Sequence, residues 1–145
     1  LADEQAQCLS EGIKIMTNSR MIDELHLGDS AEFSKRISED DARHFTGATA
    51  DAAATSLKPA RVPEVICASL ISVALGELLP GPGTIYLSQT LYFRKPVFVG
   101  DTITAKLTVA DMHEMSNWVQ LKTLCTNQKG DIVTEGEAMV MPPKR

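Results

Sequence analysis

Val65-Ile66-Cys67-Ala68-Ser69-Leu70-Ile71-Ser72-Val73-Ala74-Leu75-Gly76-Glu77-Leu78-Leu79 runs directly into Pro80-Gly81-Pro82-Gly83. The first part has one charged residue, Glu77, among aliphatic and small ones, the profile of a helix surrounded on most sides by protein. It is shorter than the roughly 20 residues a membrane-spanning helix requires and lies mid-chain, so it reads as a core helix. The second part cannot continue that helix, because both prolines lack an amide proton and the glycines favour turns. A buried helix over residues 65–79 with an abrupt stop is the reading from which the rest of the fold follows.

Downstream, four runs read as strands: 84–93, 102–111, 117–127 and 131–141. The second is the clearest, with Ile103, Ala105, Leu107 and Val109 on one face and Thr102, Thr104, Lys106 and Thr108 on the other. Gly100-Asp101 and Gly130-Asp131 stand where tight turns are needed, so the last strands read as an antiparallel meander. Upstream, Gly28-Asp29 signals a turn and residues 31–37 alternate as a first strand. Ser38 is a good N-cap with acidic Asp41 three positions on, so a helix should open there and run through Phe45. Residues 48–60, rich in Ala, Thr, Ser and Pro, show no packing period and are expected to be poorly ordered. One strand, a buried helix and four more strands make an α+β fold, with the antiparallel sheet wrapped around the helix.

The chain has 145 residues, 43% hydrophobic and 23% charged, which fits one soluble domain with a sizeable core. Its formal net charge is −5 and its Lys and Arg are scattered, so nucleic acid is not an expected partner. Cys8, Cys67 and Cys125 form no C-x-x-C pair, which fits isolated thiols in a reducing, cytoplasmic compartment. The start of the chain lacks the basic and apolar regions of a signal peptide, and no membrane association is expected. Residues 1–15 read as an appended helix or a remnant, since Met16 could itself be a start; residues 1–21 are therefore taken as an extension and 22–145 as the domain. His26 and His113 have no companion ligands at metal-binding spacing, so no metal is expected. Gly81 and Gly83 are not part of a G-x-x-x-x-G-K-[ST] phosphate loop.

Leu70-Ile71-Ser72, the run Leu79-Pro80-Gly81-Pro82-Gly83-Thr84-Ile85-Tyr86-Leu87-Ser88-Gln89, then Phe93-Arg94-Lys95-Pro96-Val97 and Val99-Gly100-Asp101-Thr102 together resemble the MaoC-like hydratases. That family includes (R)-specific enoyl-CoA hydratases and hydroxyacyl-thioester dehydratases, and the resemblance covers residues 22–142. It implies a hot-dog fold, an acyl-CoA or acyl carrier protein thioester as substrate, no cofactor, and a homodimer whose sheets pair edge to edge to cover an edge strand.

In that family an Asp and a His, spaced as D-x-N-P-x-H, hold one water that adds to C3 while a proton reaches C2. A His-Gly pair at the start of the central helix supplies an amide that polarises the thioester carbonyl. Phe45-Thr46-Gly47-Ala48-Thr49-Ala50-Asp51 aligns with the family's F-A-x-x-S-G-D and makes Asp51 the counterpart of the catalytic aspartate. Direct counting then puts Ala53-Ala54 at the Asn-Pro and Ser56 at the His; with the gap placed after Asp51, N-P-x-H is missing outright. The helix-start pair falls on Pro63-Glu64, so Glu64 would supply the amide. Two readings of the shortened loop stand: a deletion in a divergent or inactive relative, or a loop segment missing from the sequence, which would leave Pro63-Glu64 unexplained.

Ser72 matches a serine that lines the acyl pocket in relatives, although a Ser in an apolar helix commonly bonds back to the preceding turn. His44 lies seven positions before Asp51, about 10 Å along a helix, too far to replace the lost histidine by sharing its water. Tyr92, Phe93 and Trp118 could line an acyl tunnel or be ordinary packing residues. Cys67 reads as a small buried apolar residue. The leading expectation is a hydro-lyase acting on a trans-2-enoyl thioester. The alternatives are a non-catalytic subunit that binds acyl thioesters or supports an active partner and, last, an acyl-CoA thioesterase using Glu64 or Glu77.

Overall fold

The alternation read in residues 102–109 becomes the longest strand of the fold, with Ile103, Ala105, Leu107 and Val109 all buried. A computed structural model describes residues 19–49 and 60–144. After a single 3-10 turn at Ile22–Glu24 come β1 (Ser30–Arg36), α1 (Glu39–Thr49), β2 (Arg61–Val62), α2 (Ile66–Glu77) and β3 (Ile85–Phe93). Then follow β4 (Val97–Phe98), β5 (Thr102–His113), β6 (Trp118–Thr126) and β7 (Ile132–Met141). The expected extension over residues 1–15 and Cys8 lie outside the described residues, as do residues 50–59 of the segment expected to be poorly ordered.

Five strands form one antiparallel sheet in the order β1-β5-β6-β7-β3. The meander β5-β6-β7 is local, and its second turn uses Gly130 at φ 80°, a conformation that costs glycine little. β3 reaches the far edge by pairing with β7 and not with a sequence neighbour. Helix α2 lies on the inner face and contributes Ile66, Cys67, Leu70, Ile71, Ala74 and Leu75 to a core shared with Leu107, Leu121 and Val140. Each large aliphatic side chain buried there stabilises the fold by about 1.5–3 kcal/mol. The fold is the α+β hot-dog arrangement.

The helix stops where the proline-glycine run begins. The amides of Leu78 and Leu79 both donate to the Ala74 carbonyl, and Gly81, at φ 103°, donates to Leu75, so two carbonyls of the last turn of α2 are satisfied as the chain turns into β3.

Three features differ from the sequence reading. Helix α2 is covered on one side: Val65, Ser69 and Ser72 are exposed within the chain. Small and apolar composition looks the same whether a helix is enclosed by its own chain or leaves a face open. Helix α1 continues past Phe45 to Thr49, with the buried Thr46 hydroxyl donating to the Ala42 carbonyl at 2.9 Å. The short pair β2-β4, Arg61 opposite Phe98 and Val62 opposite Val97, is too brief to leave a period in the sequence. No helix among the described residues is long and apolar enough to cross a membrane.

Candidate functional site

The open side of α2 and the edge strand β3 bound a groove of about 410 Å³. Ala68 lines it from the first turn of α2; Tyr86, Gln89, Leu91 and Phe93 line it from β3. These four share the inner face because β3 is irregular between Tyr86 and Ser88. The extra residue restores the alternation, so that Tyr86 opposite Val140 and Gln89 opposite Ala138 both face inward. A shallow hollow of similar size on the outer face is lined by Lys106, Lys122, Glu135 and Glu137. Four of its lining side chains are charged, and Leu124 is the one large apolar side chain that lines it.

Within the groove the polar groups are tied together. The Tyr86 hydroxyl hydrogen-bonds the Gln89 side-chain carbonyl, and the Gln89 amide donates to the buried Thr123 hydroxyl at 2.9 Å and to the Thr90 carbonyl at 2.8 Å. Gln89 sits on β3 and Thr123 on β6, with β7 between them. The bridge is possible because β7 carries Ala138 and Gly136 in the rows of Gln89 and Thr123, with no long side chain in the way. Burial, with the Cys125 thiol as a lesser cause, pushes the Tyr86 phenol up to about 12, so it stays a neutral donor at ordinary pH.

Cys67, in the first turn of α2, and Cys125, on β6, are both fully buried, with the Cys125 thiol 3.9 Å from the Cys67 carbonyl. A hydrogen bond with Cys67, then burial, pushes the Cys125 thiol far up, so it is a packing group and not a nucleophile. Cys67 is the buried residue its place in an apolar helix suggested. The Thr134 hydroxyl, also buried, lies in the same row as Cys125. Among the described residues no group of three or more His, Cys, Asp or Glu could hold a metal.

The residues singled out from sequence fall in different places. Asp51, with Ala53, Ala54 and Ser56, lies outside the described residues; α1 ends two positions before Asp51, and the Ala60 carbonyl, just after the segment, accepts from Val99 at 2.9 Å. Glu64 sits in the turn that opens α2, half-buried, with its carboxylate paired to the Arg61 guanidinium. No described carbonyl accepts a hydrogen bond from the Glu64 or Val65 amide, so both keep the donor capacity typical of a helix start.

Ser72 is exposed on α2, one turn beyond Ala68 and on the same side of the helix. Phe93 lines the groove, whereas Tyr92 is on the other face under the Arg94 guanidinium, 5.4 Å from the ring centroid. Trp118 is at the far end of the β5-β6 hairpin, stacked on His113 at 5.5 Å. His44 is exposed on α1 and His26 lies in the turn before β1, beside Asp29 at 3.8 Å. None of the three histidines lines the groove. Sequence reasoning missed Tyr86, Gln89 and Thr123 as a unit; the family-like run included Tyr86 and Gln89, but only the long-range register of β3 on β7 joins them to Thr123.

No family model matches the chain. It is 41% identical over 128 residues to the (R)-specific enoyl-CoA hydratase of Rhodospirillum rubrum, covering 81% of this chain and 88% of that one. It is 37% identical over 134 residues to a 3-hydroxybutyryl-CoA dehydratase of Methylorubrum extorquens, covering 85% and 84%. Among solved structures, the unliganded R-hydratase PhaJ1 of Pseudomonas aeruginosa superposes with a TM-score of 0.81 at 34% identity, over 86% of each chain. A MaoC-like dehydratase of Rhodospirillum rubrum, 18% identical, shares the fold with a TM-score of 0.71 over 87% of this chain and 99% of that one.

Proposed function

The chain belongs to the MaoC-like (R)-specific enoyl-CoA hydratase family, and we infer that it catalyses the reversible hydration of a trans-2-enoyl thioester to the (R)-3-hydroxyacyl thioester. The observation that carries this reading is the 41% identity sustained over 81% of the chain. It is joined to a groove that starts at the first turn of the central helix. The substrate class is an acyl-CoA.

In the forward step a base takes a proton from water, the water oxygen bonds to C3, and C2 receives a proton. The sum is one water added with no net change of oxidation state, so the reaction calls for no redox cofactor. Asp51 is the residue the resemblance assigns as base. The amides of Glu64 and Val65 at the opening of α2 suit the developing negative charge on the thioester oxygen, because they are uncommitted among the described residues and lie at the positive end of a helix. The acyl chain would extend along the groove beneath Ala68, with Ser72 on the same side one turn on.

A homodimer follows from the two sheet edges. Edge strand β1 is polar, Ser30–Arg36, but β3 exposes Ile85 and Tyr92, each at 58%, outside the groove lining. Soluble proteins cover or charge such an edge, and a second copy of β3 does so with matching chemistry.

One observation favours a second reading, a non-catalytic subunit that binds acyl thioesters or supports an active partner. The chain has three histidines, and none of them lies in the groove or in the turn that opens α2. Incubation with crotonyl-CoA separates the two readings. A hydratase bleaches the conjugated enoyl absorbance and yields the (R)-3-hydroxy product; binding without turnover supports the subunit, and an (S) product contradicts the first reading.

A further inference from the structure

The hydration step leaves one buried polar cluster unused. Cys67 lies in the first turn of α2 and Cys125 on β6, 58 positions apart in the chain, and their two thiols hydrogen-bond each other. The Cys125 thiol is also 3.9 Å from the Cys67 carbonyl. Thr134, paired with Cys125 across the β6-β7 ladder, has a fully buried hydroxyl with no close partner among the described residues. A buried hydroxyl left so is costly, and the Cys67 sulfur is the acceptor within its reach.

The cluster treats its two sulfurs unequally. The hydrogen bond from the Cys125 thiol, with a lesser one from the Thr134 hydroxyl, holds the Cys67 thiol below its ordinary value against burial and the nearby Glu64 carboxylate. That carboxylate is itself paired with the Arg61 guanidinium. Cys67 is therefore the sulfur that ionises, and the thiolate is the form that reacts with peroxides. Access comes through the helix start. Helix α2 has no side-chain N-cap, and the amides of Ile66, Cys67 and Ala68 are held by the short-range carbonyls of Pro63, Glu64 and Val65. An uncapped first turn with the exposed Val65 beside it opens more readily than the packed middle of the helix, and a molecule little larger than water needs no wider opening.

We propose that Cys67 and Cys125 are a redox-active pair: hydrogen peroxide oxidises Cys67, and Cys125 then closes a disulfide that ties the first turn of α2 to β6. In the first step the Cys67 sulfur attacks one peroxide oxygen, the O–O bond breaks, and a sulfenic acid and one water form. In the second the Cys125 sulfur attacks the Cys67 sulfur, and its proton leaves with the sulfenic hydroxyl as another water. Two thiols are oxidised and one peroxide is reduced to two waters. Cys125 is no nucleophile while Cys67 is a thiolate, but the sulfenic acid is neutral and removes the chief cause that holds the Cys125 proton. A covalent bond is shorter than a hydrogen-bonded contact, so closure shifts the first turn of α2 and with it the Glu64 and Val65 amides. On the hydratase reading, on which this consequence alone rests, oxidation suppresses turnover.

The test treats the folded Cys8→Ser chain, in which Cys67 and Cys125 are the remaining sulfhydryls, with hydrogen peroxide, then unfolds it in iodoacetamide and measures the intact mass. The chain should lose two hydrogens and take up no alkyl group, a peptide holding Cys67 should be joined to one holding Cys125, and dithiothreitol should restore both thiols. With Cys125→Ser added, Cys67 should instead retain oxygen as the sulfenic or sulfinic acid. Thr134→Val, which removes the donor and nearly keeps the volume, should slow bridge formation severalfold. Two alkylated thiols after peroxide, or oxygen gained at Cys125 in Cys67→Ser but none at Cys67 in Cys125→Ser, overturns the proposal. Crotonyl-CoA hydration by the bridged chain should fall by about tenfold or more, since loss of one oxyanion donor costs about 10²- to 10³-fold, and should return with dithiothreitol. An unchanged rate in the bridged chain overturns the shift of the helix start. Bridge formation as expected in a chain that hydrates crotonyl-CoA in neither state overturns the hydratase reading and leaves the thiol pair supported.

Discussion

Ser38 and Asp41 cap α1 reciprocally: the Ser38 amide donates to the Asp41 carboxylate at 3.0 Å, and the Asp41 amide donates to the Ser38 hydroxyl at 3.0 Å. Lys35, from the end of β1, places its ammonium 3.3 Å from the same carboxylate. Two donors at the helix start are satisfied by two side chains, and the strand is tied to the helix that leads toward Asp51. Ser38→Ala and Asp41→Ala should each cost about 0.5–2 kcal/mol in urea unfolding.

The same cap has a pH signature. Burial works to raise the Asp41 carboxyl, but the hydrogen bonds from Ser38 and the charge of Lys35 outweigh it and hold the group below its ordinary value of 3.8. A depressed folded-state value means the stabilisation is present above the unfolded value and is lost as pH falls through the folded one. Urea midpoints measured between pH 6 and pH 3 should converge for the unaltered chain and Asp41→Asn at the acid end, with the gap widest above about pH 4. A constant gap across the range would contradict the assignment.

Gly136 is where β7 and β3 meet without room for a side chain. A Cβ there would be driven into the backbone carbonyl of Thr90, which cannot rotate away. Gly136→Ala should therefore destabilise by about 1–3 kcal/mol or more. The loss should extend to the β3 edge in hydrogen exchange, because the clash falls on the β3-β7 ladder. Unchanged stability would show that the two strands stand farther apart than described.

Covering of the β3 edge predicts a concentration-dependent dimer. Ile85→Lys places a charge at an exposed end of that strand and should yield a folded monomer in sedimentation, while Glu32→Lys on the polar β1 edge should leave the dimer intact. A monomer of 15.7 kDa for the unaltered chain at micromolar concentration contradicts the assembly.

The strands and helices were legible wherever the determinants are local. The Ser38–Asp41 box, the alternation from Ile103 to Val109 and the proline-glycine stop after Leu79 each act within a few residues. The β2-β4 pair has two residues per strand and leaves no period to read. The open side of α2 was invisible because Ser69, Ser72 and Gly76 suit a buried helix as well as an uncovered one. The groove wall was illegible for a different reason: Gln89 and Thr123 are 34 positions apart, and only the pairing of β3 with β7 brings them within hydrogen-bond reach. Of the residues assigned from resemblance, Glu64 lies in the turn that opens α2 and Ser72 is exposed on α2, whereas Asp51 falls outside the described residues.

The most direct test of the central claim is the rate of crotonyl-CoA hydration by the unaltered chain against Asp51→Asn, a change that removes the base and nearly preserves volume. The account predicts measurable hydration to the (R)-3-hydroxy product and a drop of about 10²- to 10⁴-fold in the variant, with the fold and the dimer unchanged. Hydration by the unaltered chain no faster than by Asp51→Asn, in a protein that is folded and binds acyl-CoA, would contradict it.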